Sequence, residues 1–399
     1  MNGSVSKIHT ETGKELGRYW IAPPSIRNNA SPSRTTVDLE GSCWVGNRFI
    51  GTVVKIGLEL SGGWVDRNSD GVCQTSRDAD DDGLISAAEM LNWGVDECVL
   101  YEVILVEGHQ ATYRPGEYAG PYTTGPIPRA CAVDCDGNIW VGTYGTMKAY
   151  HLDGKTAEII AADTRTFTSI HPYGFVIDRN GYVWIAELSG DVYRMNPSDP
   201  TDLVSVDLNH CYGLSIDNSG NIIISGYGKI SKIEPTAPTL LWTVNTFLPG
   251  TGHMLRGICA TGNNDIWTAW TTGYAIEHYD SNGVFIDTIR VGTAPTGVAV
   301  DSLGKVWSCN YGDEYIKRID PATDAVDFSI RLPGTIGHYS YSDMTGIVSR
   351  SIMTKTGTWN AVYDYGIPSI PWGTASWNAN VPTGTTIEVK FRTSEDRTA

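Results

Sequence analysis

The chain has 399 residues, 41% of them apolar, and a formal charge of -16. That balance disfavours nucleic acid and anionic membranes, both of which need basic patches, and favours divalent cations. No apolar run is long enough to span a bilayer, and plentiful Tyr and Trp with almost no helical period point to an all-β chain.

Asn2-Gly3-Ser4 leads straight into a strand pattern with no signal peptide after Met1, which reads as a trimmed chain. Val5 to His9 and Leu16 to Tyr19 read as two outer strands of a β-sheet unit, and Trp20 to Ser33 as a connector. Asn2 and Asn29 stand in N-x-Ser sequons and are candidate glycosylation positions. From Arg34 a meander begins that recurs along the chain. Its clearest copy is Thr293 to Phe328, where short runs such as Gly297-Val298-Ala299-Val300 and Lys305-Val306-Trp307-Ser308 are bounded by Gly, Asp and Pro. Further copies start near Arg129, His171, Cys211 and Arg256, and the turn positions Asp134, Asp178, Asp217, Thr261 and Asp301 lie roughly 40 residues apart. One such meander cannot bury its own faces, and four-strand units at this period are the mark of a β-propeller. Six internal units are visible. The N-terminal pair, joined by Met344 to Val348 as innermost strand, would make a seventh, so the expectation is an all-β, seven-bladed propeller over residues 1–353.

The first unit is interrupted at 62–97 by an acidic insertion. Asp78, Asp80 and Asp82 stand at positions 1, 3 and 5 of an EF-hand-type loop, Gly83 at the sharp turn, Leu84 at the backbone-carbonyl position, Ser86 at the water-bridged position and Glu89 at position 12. Hard Ca²⁺ asks for such a set of oxygens, and Ile85 would anchor the loop in the core. Upstream, Asp66, Asn68, Asp70, Gly71 and Val72 repeat the first half of the pattern, but position 12 is Arg77, so a second ion needs a carboxylate from the following loop, Asp78 or Asp81. The expectation is one or two Ca²⁺ ions held as a structural clamp, since no helix precedes the loop and only Ala87 to Leu91 could follow it as one. The paired spacing resembles the calcium repeats of thrombospondin type 3. Cys73 and Cys98 bracket the insertion and are read as a disulfide, with Cys43 and Cys135 as a second candidate pair; a bridge implies an oxidising compartment.

Residues just before each innermost strand line the mouth of a propeller channel. Here they include His171, His210 and His253 with Arg34, Arg129 and Arg256. Three histidines around one funnel could bind a metal or exchange protons. The G-x-x-x-D-x-x-G-x-x-W blade pattern, over most of residues 4–350, resembles that of the virginiamycin B lyase (streptogramin lyase) family. The resemblance implies a seven-bladed propeller whose mouth uses His and Glu with Mg²⁺; on this chain it falls on His171 and Glu187, while the corresponding positions of other blades hold Thr143, Gly226, Trp270 and Asn310.

The remainder, 354–399, changes rhythm. Trp359 to Tyr363, Thr374 to Asn378 and Thr386 to Phe391 alternate in period two, a partial sandwich or strand donor with apolar Trp359, Trp372 and Trp377. The sequence reading is a secreted or surface-exposed, calcium-stabilised propeller with a structural, assembly or binding role and other copies of itself as partners, polymerising head to tail through these strands. The alternatives are a metal-dependent lyase at the mouth and a carbohydrate-binding propeller with a glycan partner.

Overall fold

The structure is a computed structural model and describes residues 3–246, 253–350, 371, 373–379, 381 and 386–391. Two compact units divide it, Met1–Lys355 and Thr356–Ala399.

The first unit is a β-propeller. Each blade exists because a short alternating run meets a turn that returns it on itself. The innermost strands are Pro32–Val37, Pro128–Val133, Pro172–Ile177, Cys211–Ile216, Leu255–Ala260 and Pro295–Val300. Each begins an antiparallel meander, giving five four-stranded sheets and one five-stranded sheet. Blade one carries the fifth strand, and the acidic insertion leaves it between strands Thr52–Ile56 and Val99–Ile104.

One hairpin device recurs. In the first blade Asp38 accepts the N–H groups of Glu40 and Ser42 on Oδ1, and the Trp44 indole donates to its Oδ2 at 2.9 Å. Asp178 holds Trp184 and Asp301 holds Trp307 in the same way, at 2.9 and 2.8 Å. The tryptophan sits on the second strand, buried, directly opposite a cationic residue or histidine of the third: Lys55 faces Trp44, His151 faces Trp140, Arg194 faces Trp184, His278 faces Trp267 and Arg318 faces Trp307. His151 and His278 stack on their indoles with ring centres 4.5 and 3.8 Å apart. Blade four has Ile223 in place of the tryptophan, and Asp217 instead takes the Lys232 ammonium at 2.7 Å. Blade five has Thr261 in place of the aspartate, and there the Trp267 indole nitrogen is buried without an acceptor.

The ring closes differently from the sequence expectation: the described residues form six blades, not seven. Strands Ser4–Ile8 and Glu15–Trp20 pair only with each other, as a two-stranded sheet. Residues 338–350 lie between blades six and one without joining a ladder. Thr296 donates to the His338 carbonyl and Thr345 to the Val300 carbonyl on one side, while Thr35 meets Ser340 at 2.9 Å on the other. The expected strand at Met344 to Val348 fails for a local reason. Asp343 accepts the N–H groups of Thr345 and Val348, which folds that segment into a turn and short helical stretch. Gly297 has no room for a Cβ beside the Ser340 carbonyl, so the wedge is seated directly on blade six.

In the second unit the described residues carry no strand. Thr374 to Asn378 and Thr386 to Phe391 are exposed and outside any ladder, contrary to the alternating-strand reading, since a period-two run becomes a strand only where a neighbouring strand takes its hydrogen bonds. Trp377 and Phe391 lie with ring centres 6.3 Å apart. Trp359 to Tyr363 and Trp372 lie outside the described residues.

The unpaired Trp267 indole yields a stability prediction. Thr261→Asp should supply the acceptor that three other blades possess and raise stability by about 1 kcal/mol, the scale of one net hydrogen bond. An unchanged or lowered melting temperature would show that the aspartate–indole bond does not stabilise a blade.

Candidate functional site

Among the described residues, the insertion holds the one group of three acids close enough together to share a metal ion. The carboxylates of Asp78, Asp80 and Asp82 bring oxygens within 4.8 Å of one another. The loop is shaped by its own carboxylates. Asp78 Oδ2 accepts the Gly83 N–H at 2.8 Å, Asp80 Oδ1 the Asp82 N–H at 3.3 Å, and Asp82 Oδ1 the Leu84 N–H at 2.9 Å. Gly83 has φ of +90°, a conformation that suits glycine. Glu89 folds back across the loop, taking the Ala79 and Ser86 N–H groups on its two oxygens at 2.8 and 2.7 Å. Those bonds, Ser86 first, hold its carboxyl down to about 2. The Asp82 N–H favours ionised Asp80, but the charges of Asp82, Glu89 and Asp78 together with partial desolvation outweigh it and raise the Asp80 carboxyl. An oxygen-only donor set with crowded negative charge fits a hard divalent cation. Ala87 to Glu89 form a turn rather than a helix.

The upstream loop has the same frame. Asp66 Oδ2 accepts the Gly71 N–H at 2.9 Å, Asn68 Oδ1 the Asp70 N–H at 3.1 Å, and Asp70 Oδ1 the Val72 N–H at 2.8 Å. The carboxylate that spans it is Glu97. Its oxygens take the N–H groups of Arg67 and Gln74 at 2.7 and 2.8 Å. Arg67 and Gln74 stand at positions 2 and 9 of their loop, as Ala79 and Ser86 do in theirs, so Glu97 occupies in the first loop the place of Glu89 in the second. The sequence reading looked to Asp78 or Asp81 instead. Asp78 is engaged in its own loop, and Asp81 is ion-paired with Lys14 at 2.5 Å. Spacing could not reveal Glu97, which lies past the second loop; its place beside Cys98, opposite Cys73, was the available signal.

Cys73 and Cys98 are buried with their sulfurs 3.7 Å apart, a thiol contact rather than the expected bond. The second candidate pair is also not formed. Cys135 is exposed on its turn, whereas Cys43 is half-buried, and both are free thiols. Asn29 is exposed within the short helix Arg27–Ala30, and Asn2 lies outside the described residues.

At the channel mouth the three histidines do not converge. His171 Nδ1 lies 2.7 Å from the Tyr144 carbonyl, and its backbone N–H donates to Glu187 Oε1 at 3.3 Å. His210 is buried within blade four, with Nδ1 on the Leu208 carbonyl and Nε2 3.0 Å from the Ser231 hydroxyl; burial pushes its imidazole down. His253 is stacked on Trp270 and lies 3.2 Å from the buried Glu277 in blade five. Each has turned toward neighbouring blade groups instead of the axis.

What fills the axis is arginine and tyrosine. Every innermost strand has a register irregularity after its first residue, and these skip Arg129, Tyr173, Tyr212 and Arg256. A bulge re-aims the side chain it carries. Arg129 Nη1 donates to the hydroxyls of Tyr173, Tyr339 and Tyr341 at 3.2, 3.1 and 3.0 Å. Arg34 packs over Tyr341 and Arg48 over Tyr339, each guanidinium within 4.3 Å of the ring centre. Arg256 lies over Tyr212 and Tyr339. Tyr212 and Tyr339 hydroxyls are 2.9 Å apart. Burial alone would push the Tyr339 phenol up, but the Arg129 charge and the hydroxyls of Tyr173, Tyr212 and Tyr341 bring it down to about 7. Burial and the neighbouring phenols push Tyr173 and Tyr212 well up.

No protein-family model matches the chain. No curated protein matches it either. Among solved structures it is similar to virginiamycin B lyase from Staphylococcus aureus, with 13% identity and a TM-score of 0.55 over 77% of this chain and 86% of that one. A streptogramin B lyase structure gives 13% identity and a TM-score of 0.57 over 79% of this chain and 87% of that one. A β-propeller domain from Myceliophteria thermophila gives 10% identity and a TM-score of 0.52 over 76% and 87%. At these identities the likeness is one of propeller fold.

The mouth makes a spectroscopic prediction. A tyrosinate absorption step should appear with its midpoint near pH 7, where Tyr339 loses its proton. Tyr339→Phe should abolish that step and leave the high-pH steps of the other tyrosines. A neutral-range step that survives Tyr339→Phe would refute the assignment.

Proposed function

We propose that this is a calcium-clamped β-propeller, secreted or surface-exposed, with a binding or assembly role. The observation that carries the reading is the pair of loops with matching hydrogen-bond frames, each spanned by a glutamate. In the second loop Asp78, Asp80, Asp82, Glu89, the Leu84 carbonyl and Ser86 would hold one ion. In the first, Asp66, Asn68, Asp70, the Val72 carbonyl and Glu97 would hold another. Bound calcium would neutralise the crowded carboxylates and fix both loops.

The clamp acts on the seam of the ring. The Gly83 carbonyl accepts the Glu15 N–H at 3.0 Å, and Glu15 Oε2 accepts the N–H of buried Ile85 at 2.9 Å. Arg18 holds Glu15 from the far side with two bonds of 2.8 Å. Leu84 packs with Ile8 and Phe328 against Trp307 and Ile330 of blade six. The second loop thus joins the insertion of blade one to the N-terminal sheet and to blade six.

Self-association through the second unit belongs to the same proposal. Trp377, Val381, Ile387, Val389 and Phe391 are exposed, and apolar side chains left uncovered in this way can pack on a sheet edge of another copy.

A metal-dependent lyase is the second reading, favoured by the lyase-like fold and by the His171–Glu187 contact. Against it stand His210 and His253, engaged inside their own blades.

Chelation should lower the melting temperature, because an ion bound only by the folded state stabilises by mass action. Elemental analysis should find two calcium ions in the wild type and one in Glu97→Gln, with both Asp78→Ala and Glu89→Ala melting lower. No bound calcium and a chelator-insensitive melting curve would overturn the clamp. Turnover of a streptogramin with Mg²⁺, lost in His171→Ala, would replace the proposal with the lyase reading.

A further inference from the structure

The mouth carries an electrostatic imbalance that the calcium clamp does not touch. The chain has 45 acidic residues against 29 Lys and Arg. Arginines elsewhere draw on that surplus: Arg18 pairs with Glu15, Arg194 with Asp202, Arg318 with Asp327 and Arg331 with Glu314. Among the described residues, no carboxylate lies within ion-pair distance of Arg34, Arg129 or Arg256, three of the four arginines packed on the axial tyrosines. The Arg129 Nε and the Arg34 Nε and Nη1 are buried with no acceptor. Buried positive charge without a counter-ion is costly.

The surroundings add shape. Arg129 and Arg256 are only half-buried, and Tyr339 lies near both. The second strand of each blade ends at this same face. Just beyond it, blades one, four, five and six carry the exposed rings of Phe49, Tyr227, Tyr274 and Tyr311. Tyr311 packs edge-on against Tyr339, with ring centres 5.7 Å apart.

We propose that Arg129 and Arg256, with Tyr339 between them, bind the oxyanion group of a small ligand, a carboxylate or phosphate, at the mouth of the channel. Guanidinium groups meet either anion with charge-assisted hydrogen bonds. The aromatic rim offers flat faces to a ring that carries the anion. Tyr339 reports on occupancy. It faces Arg129, Arg48 and Arg256 and the phenols of Tyr173, Tyr212 and Tyr341, and a bound anion beside it disfavours its ionised form. Oxyanion binding therefore raises the midpoint of its tyrosinate step.

The test titrates the full chain with inorganic phosphate, glucuronate and glucose, following heat and the tyrosinate band. Saturable binding of phosphate or glucuronate is expected, with an upward shift of the step and no response to glucose. Glucuronate binding more tightly than phosphate would assign the anion to a carboxylate on a ring; the reverse would assign it to phosphate. Arg129→Gln and Arg256→Gln should each weaken binding about tenfold, the scale of one charge-assisted hydrogen bond. The proposal fails if neither anion binds, if glucose responds equally, or if the double variant keeps full affinity with an unchanged melting curve. If the variants do not fold, an unmoved tyrosinate midpoint in the wild type with saturating phosphate and glucuronate is enough to overturn it.

Discussion

The propeller depends on the bond between the turn aspartate and what lies behind it. One carboxylate does two things at once. Its first oxygen closes the hairpin between the first two strands, and in three blades its second oxygen fixes a buried indole. Burying an indole removes a large apolar surface from water but strands an N–H donor. The aspartate removes that penalty from within the same hairpin, so each of those three blades satisfies its own indole before it meets a neighbour. The third strand then lays a cationic residue or histidine over the indole, and in blades one, two, five and six stacking or cation–π contacts mark the pairing.

This explains why the blades were legible in the sequence. Asp, Gly and Trp at fixed offsets are covalently close, and the hydrogen bonds they make are local. The partner of a mouth residue is not local. His210 and His253 occupy the positions from which a channel-lining group would start, and nothing in the spacing says that Ser231 and Glu277, on third strands, would draw them away. Arg129 and Arg256 stand on bulges that repeat from blade to blade, and a bulge leaves no residue signature strong enough to be read without the ladder. Glu97 is the same lesson in the insertion. A loop that lacks its twelfth residue looks incomplete until the chain folds back and supplies a carboxylate from beyond the next loop.

Ring closure shows where local and global preferences compete. Met344 to Val348 has the composition of an inner strand, and the ring has room for an element there. Asp343 decides otherwise by capping the segment with two backbone bonds. The wedge that results still contacts both neighbours through Thr296, Thr35 and Thr345, yet gives up the ladder that holds each blade together. The seam is therefore bonded mainly by side chains, where every other joint has complete blades on both sides.

A closed ring opens at its weakest joint. The N-terminal sheet has only two strands, which is marginal by itself. What secures it are contacts from elements on either side: Arg318 of blade six donates to the Thr10 carbonyl, and the insertion grips Glu15 through Gly83 and Ile85. Those grips come from the loop whose own carboxylates repel one another. The stability of the seam is thus tied to whatever neutralises Asp78, Asp80 and Asp82, while the regular blades, held by aspartate, indole and their third-strand partners, do not draw on it. Among the described residues, the acidic insertion ties the two-stranded N-terminal sheet to the ring beside the joint that lacks a ladder.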